Sequence, residues 1–163
     1  MILEIDYGNT RLKWRLVDLR TMESIARGAT SNAQELVSEV GRHMKMPIRY
    51  CRVCSVRTAF DNNVLADLLL RSLKVRPVYA VSLPELAGVT NGYTDAAKLG
   101  VDRWLALVAA YCATQTACLV FDCGTAITVD YVSAKGVHLG GCIAHGVQMM
   151  KTALSASAQL LAG

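Results

Sequence analysis

Ile5-Asp6-Tyr7-Gly8-Asn9-Thr10 and Phe121-Asp122-Cys123-Gly124-Thr125-Ala126 follow one pattern. Each is an apolar strand ending in Asp, then a Gly-centred turn carrying a hydroxyl residue, then a further strand-like run. A carboxylate, a bare backbone turn and a hydroxyl at a strand end are the groups that a Mg-nucleotide phosphate tail requires. Glycine lets backbone N–H groups converge on an anion, and Mg2+ takes one or two carboxylates while keeping several waters. Asp6 is therefore a candidate Mg2+ ligand, and Lys13, on the following strand, a candidate neutraliser of phosphate charge. Thr125 is a candidate donor to a phosphate oxygen, and Asp122 a candidate cation ligand. Either turn alone reads as a plain hairpin with a solvated Asp. Their repetition favours a duplicated unit that grips phosphates from two sides, and hence phosphoryl transfer.

Between the two turns lies Gly100-Val101-Asp102-Arg103. An Asp at a helix start is commonly no more than a partner for the helix dipole. Yet a carboxylate that takes a hydroxyl proton, beside a guanidinium that clamps an anionic substrate, suits kinase chemistry. Tyr93, in the preceding loop, is a candidate wall of the substrate pocket. Asp130 reads as structural or exposed, and His145 as a cap or surface residue at a helix start. His43 and His138 have no companion residues and receive no role. Cys51-Arg52-Val53-Cys54 has C-x-x-C spacing but no second pair, and it lies in an apolar run, which favours structural filler over zinc or redox chemistry.

The elements that must position these residues follow from periodicity and breakers. Strands are expected at 2–5, 12–17 and 24–29, a helix capped by Ser31 or Asn32 to about Met44, a strand over 48–56, a helix from Thr58 to about Leu73 and a short strand over 77–81. Residues 84–99 read as a loop without clear period. A helix starts at Gly100 and runs to about Ala113, followed by strands at 117–121, 126–132 and 137–143 and an amphipathic helix over 146–161. The second half thus opens on three strands and a helix, as the first half does. Cys118-Leu119-Val120-Phe121 is apolar on both faces, as central strands of covered sheets are, and no later strand is available to pair with it.

Composition narrows the partners. The hydrophobic content of 53% and mean hydropathy of +0.31 are high, but no apolar run reaches the ~18 residues of a membrane span, so buried parallel sheet is the expected cause. The N-terminal sequence lacks the basic and apolar regions of a secretory signal, which predicts a cytoplasmic protein with its six cysteines as free thiols. A net charge of +4 without a basic cluster does not predict nucleic-acid binding and is compatible with an anionic small substrate such as ATP.

The residues resemble type III pantothenate kinases, of the acetate-kinase/hexokinase/actin superfamily. The resemblance rests on Asp6-Tyr7-Gly8-Asn9-Thr10-Arg11-Leu12-Lys13, on Asn91-Gly92-Tyr93 followed by Gly100-Val101-Asp102-Arg103-Trp104, on Asp122-Cys123-Gly124-Thr125-Ala126, and on Gly140-Gly141-Cys142-Ile143 leading to Gly146. It implies an α/β fold of duplicated ribonuclease-H-like (actin/hexokinase-type) domains, 1–115 and 116–163, the second incomplete. It implies ATP-dependent phosphorylation of pantothenate, the first step of coenzyme A biosynthesis. By the same resemblance Asp102 is the general base; Tyr93, Gly100, Val101, Asp102 and Arg103 bind pantothenate; Asp6, Tyr7, Gly8, Asn9, Thr10, Arg11, Leu12 and Lys13, with Thr125, bind ATP; and Asp122 binds K+ or NH4+. Members are homodimers that complete the substrate pocket across the interface. Against the family pattern, the sequence is expected to stop before the adenosine-binding segment and the partner-facing Thr. His145 stands where the family usually has Pro. The alternatives are an inactive remnant, a non-enzymatic accessory or binding protein of the family, and another kinase of the superfamily, against which Gly100-Val101-Asp102-Arg103 argues.

Overall fold

The computed structural model describes residues 1–161, with side chains described through Ser155. The chain packs as two compact units, Met1–Val81 and Ser82–Gly163.

In the first unit β1 (Ile2–Tyr7), β2 (Leu12–Val17) and β3 (Ser24–Thr30) form an antiparallel meander. Helix α1 (Ala33–His43) leads to β4 (Tyr50–Ser55), parallel to β1, and α2 (Ala59–Leu73) to β5 (Pro77–Tyr79), parallel to β4. The sheet order is β3-β2-β1-β4-β5. Alternation explains the strands: Leu12, Trp14 and Leu16 of β2 are buried while Lys13 and Arg15 point out. On the buried face they meet Leu3, Ile5 and Val53, and the stripes Leu36/Val40 of α1 and Leu65/Leu69/Leu73 of α2 close the core. Both helices start on side-chain caps. Asn32 accepts from the Glu35 N–H at 2.9 Å and Thr58 from the Asp61 N–H at 3.2 Å. Cys51 and Cys54 fall on opposite faces of β4, and burial pushes the Cys51 thiol up to about 12, as expected of structural filler.

In the second unit β6 (Glu85–Leu86) and β7 (Val89–Thr90) form a small hairpin, followed by a 3-10 turn at Ala96–Lys98 and α3 (Val101–Thr114). Then come β8 (Cys118–Cys123), β9 (Ala126–Val132), β10 (His138–His145) and α4 (Val147–Leu161). The three longer strands are antiparallel in the order β10-β9-β8. Trp104, Leu107 and Val108 of α3 pack with Val89, Leu99 and Val132 in a second core. The molecule is thus a mixed α/β protein in which two three-stranded meanders recur, each followed by a helix, as in duplicated ribonuclease-H-like folds.

Several boundaries differ from expectation. The loop over 84–99 contains β6, β7 and the 3-10 turn, because two- and three-residue elements carry no readable period. The fourth strand begins at Tyr50 rather than at Ile48: Ile48 is drawn into the core and the Arg49 N–H is taken by the Met1 carbonyl. β10 continues past Ile143 to His145, opposite Ala126. A residue with a backbone N–H can stay in a ladder where Pro could not. The unpaired apolar edge expected at β8 is present: β8 is an edge strand among the described residues, and Phe121 is 62% exposed. Among the described residues no helix is long and apolar enough to cross a membrane.

Candidate active site

The first turn joins β1 to β2. Register places Asp6 opposite Lys13, and Lys13 Nζ lies 3.3 Å from Asp6 Oδ2. The Gly8 N–H donates to the Arg11 carbonyl at 3.2 Å, closing the turn, and a Cβ at Gly8 would press on that same oxygen at 3.3 Å. Asn9, Thr10 and Arg11 are exposed at the tip, whereas Leu12 buries its side chain in the core. Because β1 and β4 are parallel, their carboxyl ends lie side by side, the usual place for a ligand in such sheets. This brings in Arg57, which sequence reasoning did not single out. Its guanidinium lies over the half-buried Tyr7 ring at 5.4 Å, and its Nη1 donates to the Asn9 carbonyl at 3.3 Å. Thr58 and Arg57 together hold the Asp61 carboxyl below its usual range. A groove of about 680 Å³ beside this turn is lined by Glu4, Asp6, Lys13, Trp14, Arg15 and Arg27 among others. That volume is in the range of small-molecule sites, ~300–1,000 Å³.

The Asn91–Tyr93 loop and the start of α3 form a second cluster. Asn91 is buried and staples its loop: Nδ2 donates to the Leu83 carbonyl at 3.2 Å, and Oδ1 accepts from the Tyr93 N–H at 3.0 Å. Truncating it leaves buried groups unpaired, so Asn91→Ala is expected to lower stability by about 2 kcal/mol in denaturant unfolding. Gly92 is required by close approach, since a Cβ there would collide with the His138 carbonyl oxygen. Tyr93 stacks on the His138 ring, centroids 6.0 Å apart and planes 7° apart. Gly100 caps α3 and leaves room for the Asp102 carboxylate, whose Oδ1 would lie 2.7 Å from a Cβ at Gly100. Val101 and Asp102 are half-buried on the first turn, and Asp102 Oδ1 accepts from the Arg103 N–H at 2.8 Å.

Arg103 is 8% exposed, and Asp130 takes it from two positions, Nε to Oδ2 at 2.7 Å and Nη2 to Oδ1 at 2.6 Å. This bidentate geometry fixes the guanidinium plane. Hydrogen bonds to Asp130 raise the Arg103 pKa above its usual value against the opposing effect of burial, and the Tyr93 hydroxyl adds to the Asp130 effect. His138 Nε2 lies 3.0 Å from Asp130 Oδ1. Asp130 is thus structural but not exposed, and His138, which had no companion in the sequence, has two. The available signal was the glycine pair. Gly140 sits at a β-bulge with φ +117°, and a Cβ on Gly141 would overlap the Asp130 carboxylate.

The second turn joins β8 to β9. Asp122 stands exposed opposite Thr128, and the Gly124 N–H donates to the Ala126 carbonyl at 2.9 Å. Gly146, at the head of α4, donates its N–H to the Thr125 carbonyl at 3.0 Å. His145 is exposed on the last residue of β10. Among the described residues no three His, Cys, Asp or Glu side chains cluster around a potential metal ion.

A family model described as type III pantothenate kinase matches residues 2–162. A type III pantothenate kinase of Pseudomonas paraeruginosa is 44% identical over 154 residues, 94% of this chain and 62% of the relative. One from Pseudomonas fluorescens is 41% identical over the same shares. The chain therefore spans about three fifths of the length of these curated relatives. Among solved structures, a Campylobacter jejuni protein described as a Baf family transcriptional activator aligns with TM-score 0.54 and 21% identity, covering 94% of this chain and 59% of that one. A Sinorhizobium meliloti protein described as a 2-dehydro-3-deoxygalactonokinase aligns with TM-score 0.52 and 10% identity, over 88% and 54%. At those identities the two structures speak to the fold alone. The match from residue 2 to 162, running through both phosphate-type turns and the Asp102–Arg103 pair, makes this chain a member of the type III pantothenate kinase family.

Proposed function

We propose that this chain carries the acceptor site and the phosphate-binding turns of an ATP-dependent pantothenate kinase, producing 4'-phosphopantothenate at the first step of coenzyme A biosynthesis. The observation that carries the reading is the first turn of α3. Arg103 is locked there by two hydrogen bonds to Asp130, while the adjacent Asp102 carboxylate stays half-open. In this reading Tyr93, Gly100, Val101 and Arg103 orient pantothenate, and Asp102 takes the proton from its primary hydroxyl. That oxygen forms the new bond to the γ-phosphorus as the bond to the β-phosphate oxygen breaks and ADP leaves. Little covalent work falls to the protein, so positioning and charge stabilisation dominate.

The β1–β2 turn, from Asp6 to Lys13, and Thr125 are assigned to the ATP phosphates. Mg2+ suits Asp6, because one carboxylate completed by phosphate oxygens and water is an ordinary Mg2+ environment. A monovalent cation, K+ or NH4+, suits Asp122 and its turn, where a single carboxylate and backbone carbonyls offer hard oxygen donors. The working protein is assigned to the cytoplasm and to a homodimer.

The test is transfer of labelled γ-phosphate to pantothenate by the purified chain, in K+ and in Na+. Product formation in K+ that falls in Na+ supports both the activity and the cation. Absence of product from folded protein overturns the activity. Lys13→Ala separates a phosphate role from a stability role. The Lys13–Asp6 pair is open to solvent, its side chains 65% and 45% exposed, and such pairs contribute about 0–1 kcal/mol. The melting temperature should therefore barely move, while KM for ATP should rise about tenfold if Lys13 faces phosphate.

A further inference from the structure

We propose that Asp130 and His138 are positioning residues of the acceptor site: together they hold Tyr93 and Arg103 as one preorganised unit. The inference rests on the reading of Tyr93 and Arg103 as acceptor-binding groups. Those two residues are far apart in the fold's local structure, one in a loop and one on a helix. Asp130 and His138, on β9 and β10, form a chain of contacts between them.

Each link is specific. Asp130 is 2% exposed and engages Arg103 through Nε and Nη2. Its Oδ1 also faces His138 Nε2 at 3.0 Å. A carboxylate can only accept, so Nε2 carries the imidazole proton and points it at Asp130. His138 is 1% exposed, and its ring lies under Tyr93 with nearly parallel planes. The Tyr93 hydroxyl also favours the charged form of Arg103. Glycines admit two of these contacts. Gly141 leaves the volume that the Asp130 carboxylate fills, and Gly92 lets the Tyr93 loop lie directly on the His138 backbone.

A buried ion pair is weak evidence of stability, because desolvation offsets the attraction. What this chain of contacts supplies is order. Arg103 cannot rotate without breaking both Asp130 bonds, and Asp130 cannot rotate without losing His138. Side chains fixed before binding lose less freedom when the ligand arrives. Acceptor affinity should therefore depend on residues that do not themselves touch the acceptor.

Two variants of His138 divide this chain of contacts. His138→Phe keeps a ring under Tyr93 but removes the donor to Asp130. His138→Gln keeps an N–H donor but removes the ring. Both are measured with the wild type and Asp130→Asn for KM and kcat with each substrate. A second readout is solvent exchange of the Arg103 Nε proton by nitrogen-resolved NMR. For His138→Phe and Asp130→Asn we expect KM for pantothenate to rise about tenfold while KM for ATP stays within about twofold. His138→Gln should restore much of the loss, and Arg103 Nε–H exchange should be slow in the wild type and faster in the first two variants.

Folded His138→Phe with unchanged pantothenate KM, or with both KM values rising together, overturns the proposal while leaving the kinase reading intact. A wild type that binds no pantothenate sinks the kinase reading instead, and the exchange measurement then decides whether Arg103 is held by Asp130 and His138. If the variants do not fold, the wild type still decides: an Arg103 Nε proton that exchanges as fast as an exposed arginine overturns the proposal.

Discussion

Asp102→Asn is expected to lower kcat by about 10²–10³-fold with little change in the binding of pantothenate. Asn is nearly isosteric, and the contact that Asp102 makes within its own helix is preserved. Its Oδ1 accepts the Arg103 N–H at 2.8 Å, and an amide oxygen can do the same. Room for the side chain comes from Gly100, which the substitution does not touch. Fold and helix start should therefore survive, leaving proton acceptance as the property removed. The expected loss sits below the top of the range for general bases, because the phosphoryl-transfer transition state is loose and places modest demand on the attacking hydroxyl. Steady-state kcat and a separate equilibrium measurement of pantothenate binding check this. A kcat within about threefold of wild type would mean that the hydroxyl proton leaves by another route. A binding loss equal to the kcat loss would recast Asp102 as an orienting group.

The parts of this site that could be read in the sequence are those set by neighbours in the chain. Asp6, Gly8 and Lys13 belong to one hairpin, and Asp122, Gly124 and Thr125 to another, so a repeated local pattern exposes both. Asp102 and Arg103 open one helix, where an Asp at the start and an apolar stripe behind it are visible without tertiary knowledge. Asp130 and His138 were not readable in the same way. Their chemistry depends on Arg103, which is 27 residues from Asp130, and on a Tyr93 ring brought over by a loop stapled through Asn91. Alone, an Asp on one strand and a His on the next carry no signature. Arg57 escaped for a related reason: it reaches Asn9 across 48 residues because β1 and β4 run parallel, a pairing that sequence order does not reveal. The glycines were visible, but their reasons were not. Gly140 answers a backbone requirement, whereas Gly92, Gly141 and Gly146 answer the presence of another chain segment. The exposed edge of β8 was legible, because the expected strands leave none to pair with its apolar run.

Gly146→Val should cause the second large loss, about 10²-fold in phosphoryl transfer, through geometry and without removing a functional group. Gly146 has no positive φ, so its backbone angles do not demand glycine; the demand comes from the Gly124–Thr125 turn lying directly against it. Any Cβ at this position would overlap the carbonyl oxygens of both turn residues, and backbone atoms cannot swing aside as a flexible side chain does. Either the turn or the head of α4 must shift by roughly 1 Å, a displacement sufficient to spoil a positioned catalytic group. The Gly146 N–H to Thr125 carbonyl bond, now 3.0 Å, is the first contact at risk. Because Thr125 is assigned to ATP, the defect should appear in KM for ATP and in kcat, with pantothenate binding retained by Tyr93 and Arg103. Overpacking of this kind also lowers stability by about 1–3 kcal/mol, so the kinetics belong at a temperature where thermal melting shows the variant folded. Gly146→Ala places the same Cβ with less bulk beyond it and should show the same selectivity at smaller size. A Gly146→Val protein that keeps its ATP KM would show that the turn tolerates displacement, and would remove Thr125 from the phosphate site.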